Sequence, residues 1–171
     1  MLILGIDPGS QTTGYGVVES KAGDLEAVDF GVLSCRAKTP LPNRLAILHD
    51  GMSKLMAVHQ PSVVALETPF AGINPRSLAV LAQARGALLA AAAADGATIR
   101  EYAPTQVKAA VTGHGRADKQ QVADMVRLLL KLTDKSIKHD ASDALAVAIC
   151  CAHREAYERL SDQLTTVKPK H

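Results

Sequence analysis

The spacing of apolar residues changes several times along the chain, and each change marks a predicted element. Leu2, Ile3, Leu4 and Ile6 form a short apolar run that predicts a buried strand. It ends at Asp7, and Pro8-Gly9-Ser10 supplies a turn. "TGYGVVES" returns as a second strand, in which Gly14 and Gly16 mark a bulge or a close backbone approach. "LEAVDFGVLSC" (25–35) alternates well enough for a third, and three strands on short turns predict an antiparallel meander. Leu45, Leu48, Met52, Leu55 and Met56 then recur at helical spacing, up to a stop near Pro61. "SVVALE" (62–67) is a short buried strand ending in a second acid, Glu67. Asn74-Pro75 reads as an N-cap with proline at the first helical position, opening a helix to Gly96. "ATIREY" is a fifth strand, and Pro104 to Gly113 a short helix. After the loop "GHGRA" a helix runs from Asp118 to about Leu132, and after the polar linker "TDKSIKH" a last one runs from Asp140 to about Leu160. The order predicts an α/β fold: a five-stranded mixed sheet, three antiparallel strands followed by βα units, flanked by helices. Residues 1–160 form one domain without internal repeat, and 161–171 a flexible polar tail.

Composition narrows the class. The 171 residues suit one domain, and 47% hydrophobic residues with only 3% aromatics require a core of Ala, Leu and Val. The formal charge of +2 says little by itself, but Lys and Arg are concentrated between Arg100 and Asp140. Such a stretch is either a solvated face or an electrostatic footprint for phosphate. Cys35, Cys150 and Cys151 match neither a disulfide framework nor a metal knuckle, and read as small buried hydrophobes in a reducing compartment. The N-terminus lacks the pattern of a signal peptide. The Ala-rich run near Ala90 carries Arg85 and is broken by Asp95, which argues against a membrane span. The expected location is cytoplasmic.

Four acids carry the candidate chemistry. Asp7 and Glu67 both end apolar strands and meet at one sheet edge if those strands are neighbours. Asp140 and Asp143 are three apart at a helix start, so they point the same way, about 60° apart. Two carboxylates ~4 Å apart repel by ~4 kcal/mol at an effective dielectric of 20. Divalent cations remove that conflict, and hard oxygen ligands without thiolate favour Mg²⁺, with Mn²⁺ as a substitute. Two such ions ~3.5–4 Å apart clamp the attacking and leaving oxygens in phosphodiester hydrolysis. Blander readings stand beside this one. Asp140-x-x-Asp143 resembles a helix cap with its capping-box partner, and Asp7 suits a Pro-Gly turn. Glu67, at a strand end before Thr68-Pro69, has no such alternative.

Gly9 to Gly14 has the spacing of a phosphate loop, but Tyr15-Gly16 stands where its lysine belongs. Taken together, "GIDPGSQTTGYGVV", "LETPF", "QARG", "QVK", "GRADKQQV" and "HDASDALAVAI" resemble the RuvC family of bacterial Holliday-junction resolvases, over about residues 2–153 and in the right order. That resemblance implies a ribonuclease-H-like fold, a homodimer and a Mg²⁺-dependent endonuclease. Its activity would be paired symmetric nicks across a four-way DNA junction in recombination and repair. It implies catalytic and metal-binding duty for Asp7, Glu67, Asp140 and Asp143, and cooperation with a RuvA–RuvB branch-migration complex. One ion would activate the attacking water and the other stabilise the departing 3′ oxygen, with Asp7 bridging them, to leave 5′-phosphate and 3′-hydroxyl ends.

The resemblance also marks Lys108 and Lys119 as phosphate contacts. Lys119 follows Asp118 at a helix N-terminus, which already favours an anion, and Arg116 in the same loop is a third candidate. A surface salt bridge is the alternative for Lys119. Phe70, three residues after Glu67, is either a core plug or an apolar wedge against the opened junction. The small residues of "LAQARGALLAAAAADG" allow close helix approach and are the expected seat of a C2 dimer. Tyr15 and Tyr102 read as structural, and His114 and His139 are near the chemistry without an assigned part. Two other functions compete: a ribonuclease-H-like nuclease on RNA–DNA hybrids, and a junction-binding protein without catalysis.

Overall fold

The computed structural model describes residues 1–36, 38–69, 74–133 and 137–166. Its strands are β1 (Leu2–Asp7), β2 (Thr12–Lys21), β3 (Asp24–Ser34), β4 (Val63–Glu67) and β5 (Thr98–Tyr102). The helices are α1 (Leu41–His59), α2 (Pro75–Ala94), α3 (Pro104–Thr112), α4 (Lys119–Leu129) and α5 (His139–Thr166). The five strands form one sheet in the order β3-β2-β1-β4-β5. β1, β2 and β3 pair antiparallel, while β4 runs parallel to β1 and β5 parallel to β4. This is the predicted mixed sheet. The β2–β3 hairpin turns on Ala22 and Gly23, both at positive φ, as the right-handed twist of paired strands demands of a two-residue turn.

The sheet separates two apolar layers. Leu4, Ile6, Val17, Val64 and Leu66 point to one side and meet Leu48, Met52 and Met56 of α1 and Ala84, Leu88 and Ala92 of α2. Ile3, Val18, Val63 and Ala65 point to the other, where α5 lies on the sheet and α3 and α4 cover α5. Strand alternation assigns these faces and also assigns the acids: Asp7 and Glu67 share parity with the residues facing α5.

The glycines expected to mark close approach do so against α5. A Cβ on Gly5 would stand 2.2 Å from the Ala144 carbonyl oxygen, and one on Gly14 1.8 Å from that of Asp140. Gly16, paired opposite Gly5, leaves room for Leu145, and Gly14 is paired opposite Asp7. A glycine lane across β1 and β2 therefore seats α5 almost on the backbone. The only register shift between β2 and β3 among the described residues lies elsewhere, at Val17/Val18.

Two helix expectations change. α4 stops at Leu129, short of Leu132. α5 continues to Thr166, beyond Leu160, so residues 161–166 of the expected tail are helical. Ala144 to Ala152 of α5 are all buried. The helix is enclosed by the sheet on one side and by α3 and α4 on the other, so its far side is apolar too.

α2 is the one described helix long and apolar enough to cross a membrane by length and composition. Its inner side packs on α1, and Arg85 in its middle is buried and paired with Glu101 of β5.

Candidate active site

Parallel pairing of β1 with β4 brings Asp7 and Glu67 to adjacent strand ends, since the register runs from Ile3 opposite Val63 to Ile6 opposite Leu66. The glycine lane brings the first turn of α5 to the same place. Gly14, opposite Asp7, lies directly under the Asp140 carbonyl. Asp140 is the second residue of α5 and Asp143 the fifth, so neither is its N-cap. The helix-cap reading of this pair does not hold, and both carboxylates are left for other work.

The four acids form one electrostatic unit. Burial, followed by the charges of Asp143, Glu67 and Asp140, pushes the Asp7 carboxyl up to about 7. Burial and then Asp143 raise Glu67, and burial, with Asp140 adding to it, raises Asp143. The opposing cations are Lys119, which lowers all three, and Lys108, which lowers Glu67 and Asp143. His139 also lowers Asp143.

Both lysines stand in the same cleft. It measures ≈ 370 Å³ and is lined by Asp7, Glu67, Asp143, Lys108, Lys119 and the start of α3. Lys119 is there because Asp118 caps α4. Its carboxylate accepts the Gln121 backbone N–H at 2.8 Å, and the Gln121 side chain returns a bond to the Asp118 N–H. Lys119, the first residue of α4, therefore stands in the cleft with the acids. A smaller pocket of ≈ 190 Å³ adjoins, lined by Asp7, Pro8, Glu67, Pro69 and Arg85 among others. Thr13, wholly buried, pins the intervening loop by donating to the Gly9 carbonyl at 2.8 Å.

Other expected contacts fare differently. Arg116 is exposed in the turn between α3 and α4 and does not line the cleft. Phe70 lies outside the described residues. Sequence reading missed Thr13 and Arg85. For Arg85 the signal was a charged side chain inside an apolar segment, which demands a buried partner.

The donor set fits a hard divalent cation: carboxylates only, mutually repelling, with Asp7 raised to about 7 by burial first and by the charges of its neighbours second. In this conformation no three His, Cys, Asp or Glu side chains among the described residues already close around a single point.

Comparison with known proteins agrees with this geometry. The family model "Crossover junction endodeoxyribonuclease RuvC" matches residues 3–151. A curated relative of that name from Desulfitobacterium hafniense is 47% identical over 153 residues, 90% of this chain and 93% of its own length. One from Dehalococcoides mccartyi is 41% identical over 163 residues, 95% of this chain and 99% of its own. Among solved structures, Thermus thermophilus RuvC superposes with a TM-score of 0.83 at 32% identity, covering 92% of this chain and 97% of that one. The same protein in complex with a Holliday junction substrate superposes at 0.87 and 33% identity, covering 92% and 96%. The five-stranded sheet is thus the ribonuclease-H-like arrangement, and with a family match across nearly its whole length the chain belongs to the RuvC family of crossover junction endodeoxyribonucleases.

Proposed function

We propose that this protein resolves four-way DNA junctions by paired nicks, with Asp7, Glu67, Asp140 and Asp143 as catalytic residues and cation ligands. The observation that carries the reading is that Asp7, Glu67 and Asp143, from β1, β4 and α5, line one cleft with Lys108 and Lys119, while Asp140 adds its charge to Asp7. A relative solved with a Holliday junction supports the substrate class.

The four carboxylates would hold Mg²⁺, which would supply a Lewis acid able to activate water and to stabilise the leaving 3′ oxygen. The chain's own groups do the rest. Lys108 and Lys119 attract the phosphodiester and offset its charge beside four acids. The N-terminal amides of α4 favour the same anion. Cleavage leaves 5′-phosphate and 3′-hydroxyl ends. Phe70 is proposed as an apolar wedge against the opened junction, and Arg116 as a peripheral phosphate contact.

Two nicks related by the junction's two-fold symmetry ask for two sites, and the proposal includes a homodimer through α2. Its outward side presents Ala79, Ala82, Gly86 and Ala90 to solvent, small residues that permit close helix approach. Cooperation with a RuvA–RuvB branch-migration complex rests on family membership. A reducing, cytoplasmic setting suits the free thiols: burial pushes Cys150 up to about 12 and Cys151 up to about 11, which leaves both unreactive.

The test is cleavage of a labelled four-way junction with Mg²⁺, beside an RNA–DNA hybrid of equal length. Symmetric nicks in the junction alone are expected. Cutting of the hybrid but not the junction, or tight junction binding without cleavage, overturns the proposal.

A further inference from the structure

Among the described residues, the buried polar or charged side chains are Thr13, Ser142 and Arg85. Arg85 is the only full charge of the three, set on the inner face of an Ala-rich helix. It is not one of the charges that shift Asp7 or Glu67. A guanidinium taken out of water needs compensation from specific partners. Arg85 has two. Nη1 donates to the backbone carbonyl of Glu67 at 2.6 Å, and Nη2 is paired with the Glu101 carboxylate on β5.

The Glu67 carbonyl is free to accept for a reason written in the sequence. In a strand, backbone groups of successive residues point to opposite neighbours. The Thr68 N–H donates to the Tyr102 carbonyl on β5, so the N–H and C=O of Glu67 face β1. The donor that would meet that carbonyl is the backbone N–H of residue 8. Residue 8 is proline and has none. The β1–β4 register accordingly ends at Ile6 opposite Leu66, while β4–β5 continues to Glu67 opposite Tyr102. One carbonyl thus loses its ladder partner, and it belongs to the residue whose side chain is one of the four acids.

We propose that Arg85 is a positioning residue for Glu67: it supplies from α2 the rung that Pro8 withholds, and so fixes the Glu67 carboxylate relative to Asp7. The pocket between the two strand ends, lined by Asp7, Pro8, Glu67 and Arg85, is the gap this arrangement holds open. A planar fork is required because two partners on two different strands must be reached at once, which an ammonium does poorly. Glu101 holds the other half of the fork. This inference rests on the reading of the acids as cation ligands, and its test separates the two.

The experiment uses the full chain and Mn²⁺ as probe. Mn²⁺ binding is measured by calorimetry without DNA, and junction binding is measured in chelator. Arg85→Met is expected to weaken Mn²⁺ binding by about tenfold or more, the usual cost of losing a partner that orients a ligand. Metal-free junction binding stays unchanged. Arg85→Lys recovers part of the loss, and Glu101→Gln shows a smaller loss in the same direction. Adding Pro8→Ala to Arg85→Met restores an N–H at position 8 and regains affinity. If Arg85→Met fails to fold, Arg85→Lys and Glu101→Gln carry the same comparison. Wild-type Mn²⁺ affinity in these variants, with only a lower melting temperature, overturns the positioning assignment. Equal Mn²⁺ binding by wild type and Asp7→Asn overturns the cation reading beneath it.

Discussion

The two sides of the sheet are built on opposite rules. Toward α1 and α2 the strands present Leu4, Ile6, Val17, Val64 and Leu66, and the helices stand off at the distance such side chains impose. Toward α5 the central strands present Gly5, Gly14 and Gly16, and α5 comes down until its carbonyls would touch a Cβ. The first arrangement stabilises. The second places: an acid on a strand and an acid on a helix meet only if the two backbones approach more closely than bulky side chains allow. The difference teaches that removing bulk on one face and filling volume on the other serve separate ends in one domain.

The first way to break that comparison is at the acids themselves. Asp7→Asn is expected to lower junction cleavage on the order of a thousandfold, several kcal/mol of transition-state stabilisation, with junction binding retained. Equal cleavage by the variant would leave the close-packed side without its purpose.

A paired substitution sharpens the contrast between the faces. Gly14→Ala places a Cβ 1.8 Å from the Asp140 carbonyl oxygen and must displace the start of α5. Cleavage is expected to fall by about a hundredfold, since misplacement near 1 Å costs that much. Leu88→Ala, in the opposite core and wholly buried, should cost ~2–5 kcal/mol of stability yet leave cleavage near wild type below its melting temperature. Denaturant melts beside nicking assays at low temperature check both, and similar loss of cleavage in the two would erase the distinction.

Lys119→Ala probes the cleft. Junction affinity is expected to fall, and the slope of log affinity against log salt to drop by about one, the signature of one lost phosphate contact. A slope equal to that of wild type would assign Lys119 to the acids alone.

The remaining effect is on stability. The Asp7 carboxyl titrates near 7 in the folded chain and near its ordinary 3.8 unfolded, so the folded state binds the extra proton between those values. Stability without divalent cation therefore falls as pH rises from about 4 to about 7. Asp7→Asn escapes the penalty, so its melting temperature should exceed wild type at pH 8 and match it near pH 4. The reverse ordering would deny the repulsion among the acids.

Much of this was legible before any coordinates. Strand periods, Asn74 and Asp118 as caps, Pro75 and Pro104 at helix starts, and Gly113 at a helix end are local properties, and the structure keeps each of them. Asp7 and Glu67 were visible as strand-end acids because a carboxylate ending an apolar run is costly wherever it lands. The ends of α4 and α5 were not legible, since helix ends depend on what the helix packs against.

The sequence by itself determined the elements, their order and the acids, because turn chemistry, caps and apolar period act over a few residues. Tertiary structure decided the rest. Only strand pairing set Asp7 beside Glu67 and opposite Gly14, and only the glycine lane brought Asp140 and Asp143 to them. Only the packing of α2 beside the strand ends brought the buried Arg85 to the Glu67 carbonyl and the Glu101 carboxylate. The physical reason is the same throughout: these contacts join residues far apart in the chain, and nothing local in the sequence encodes a distance between two backbones.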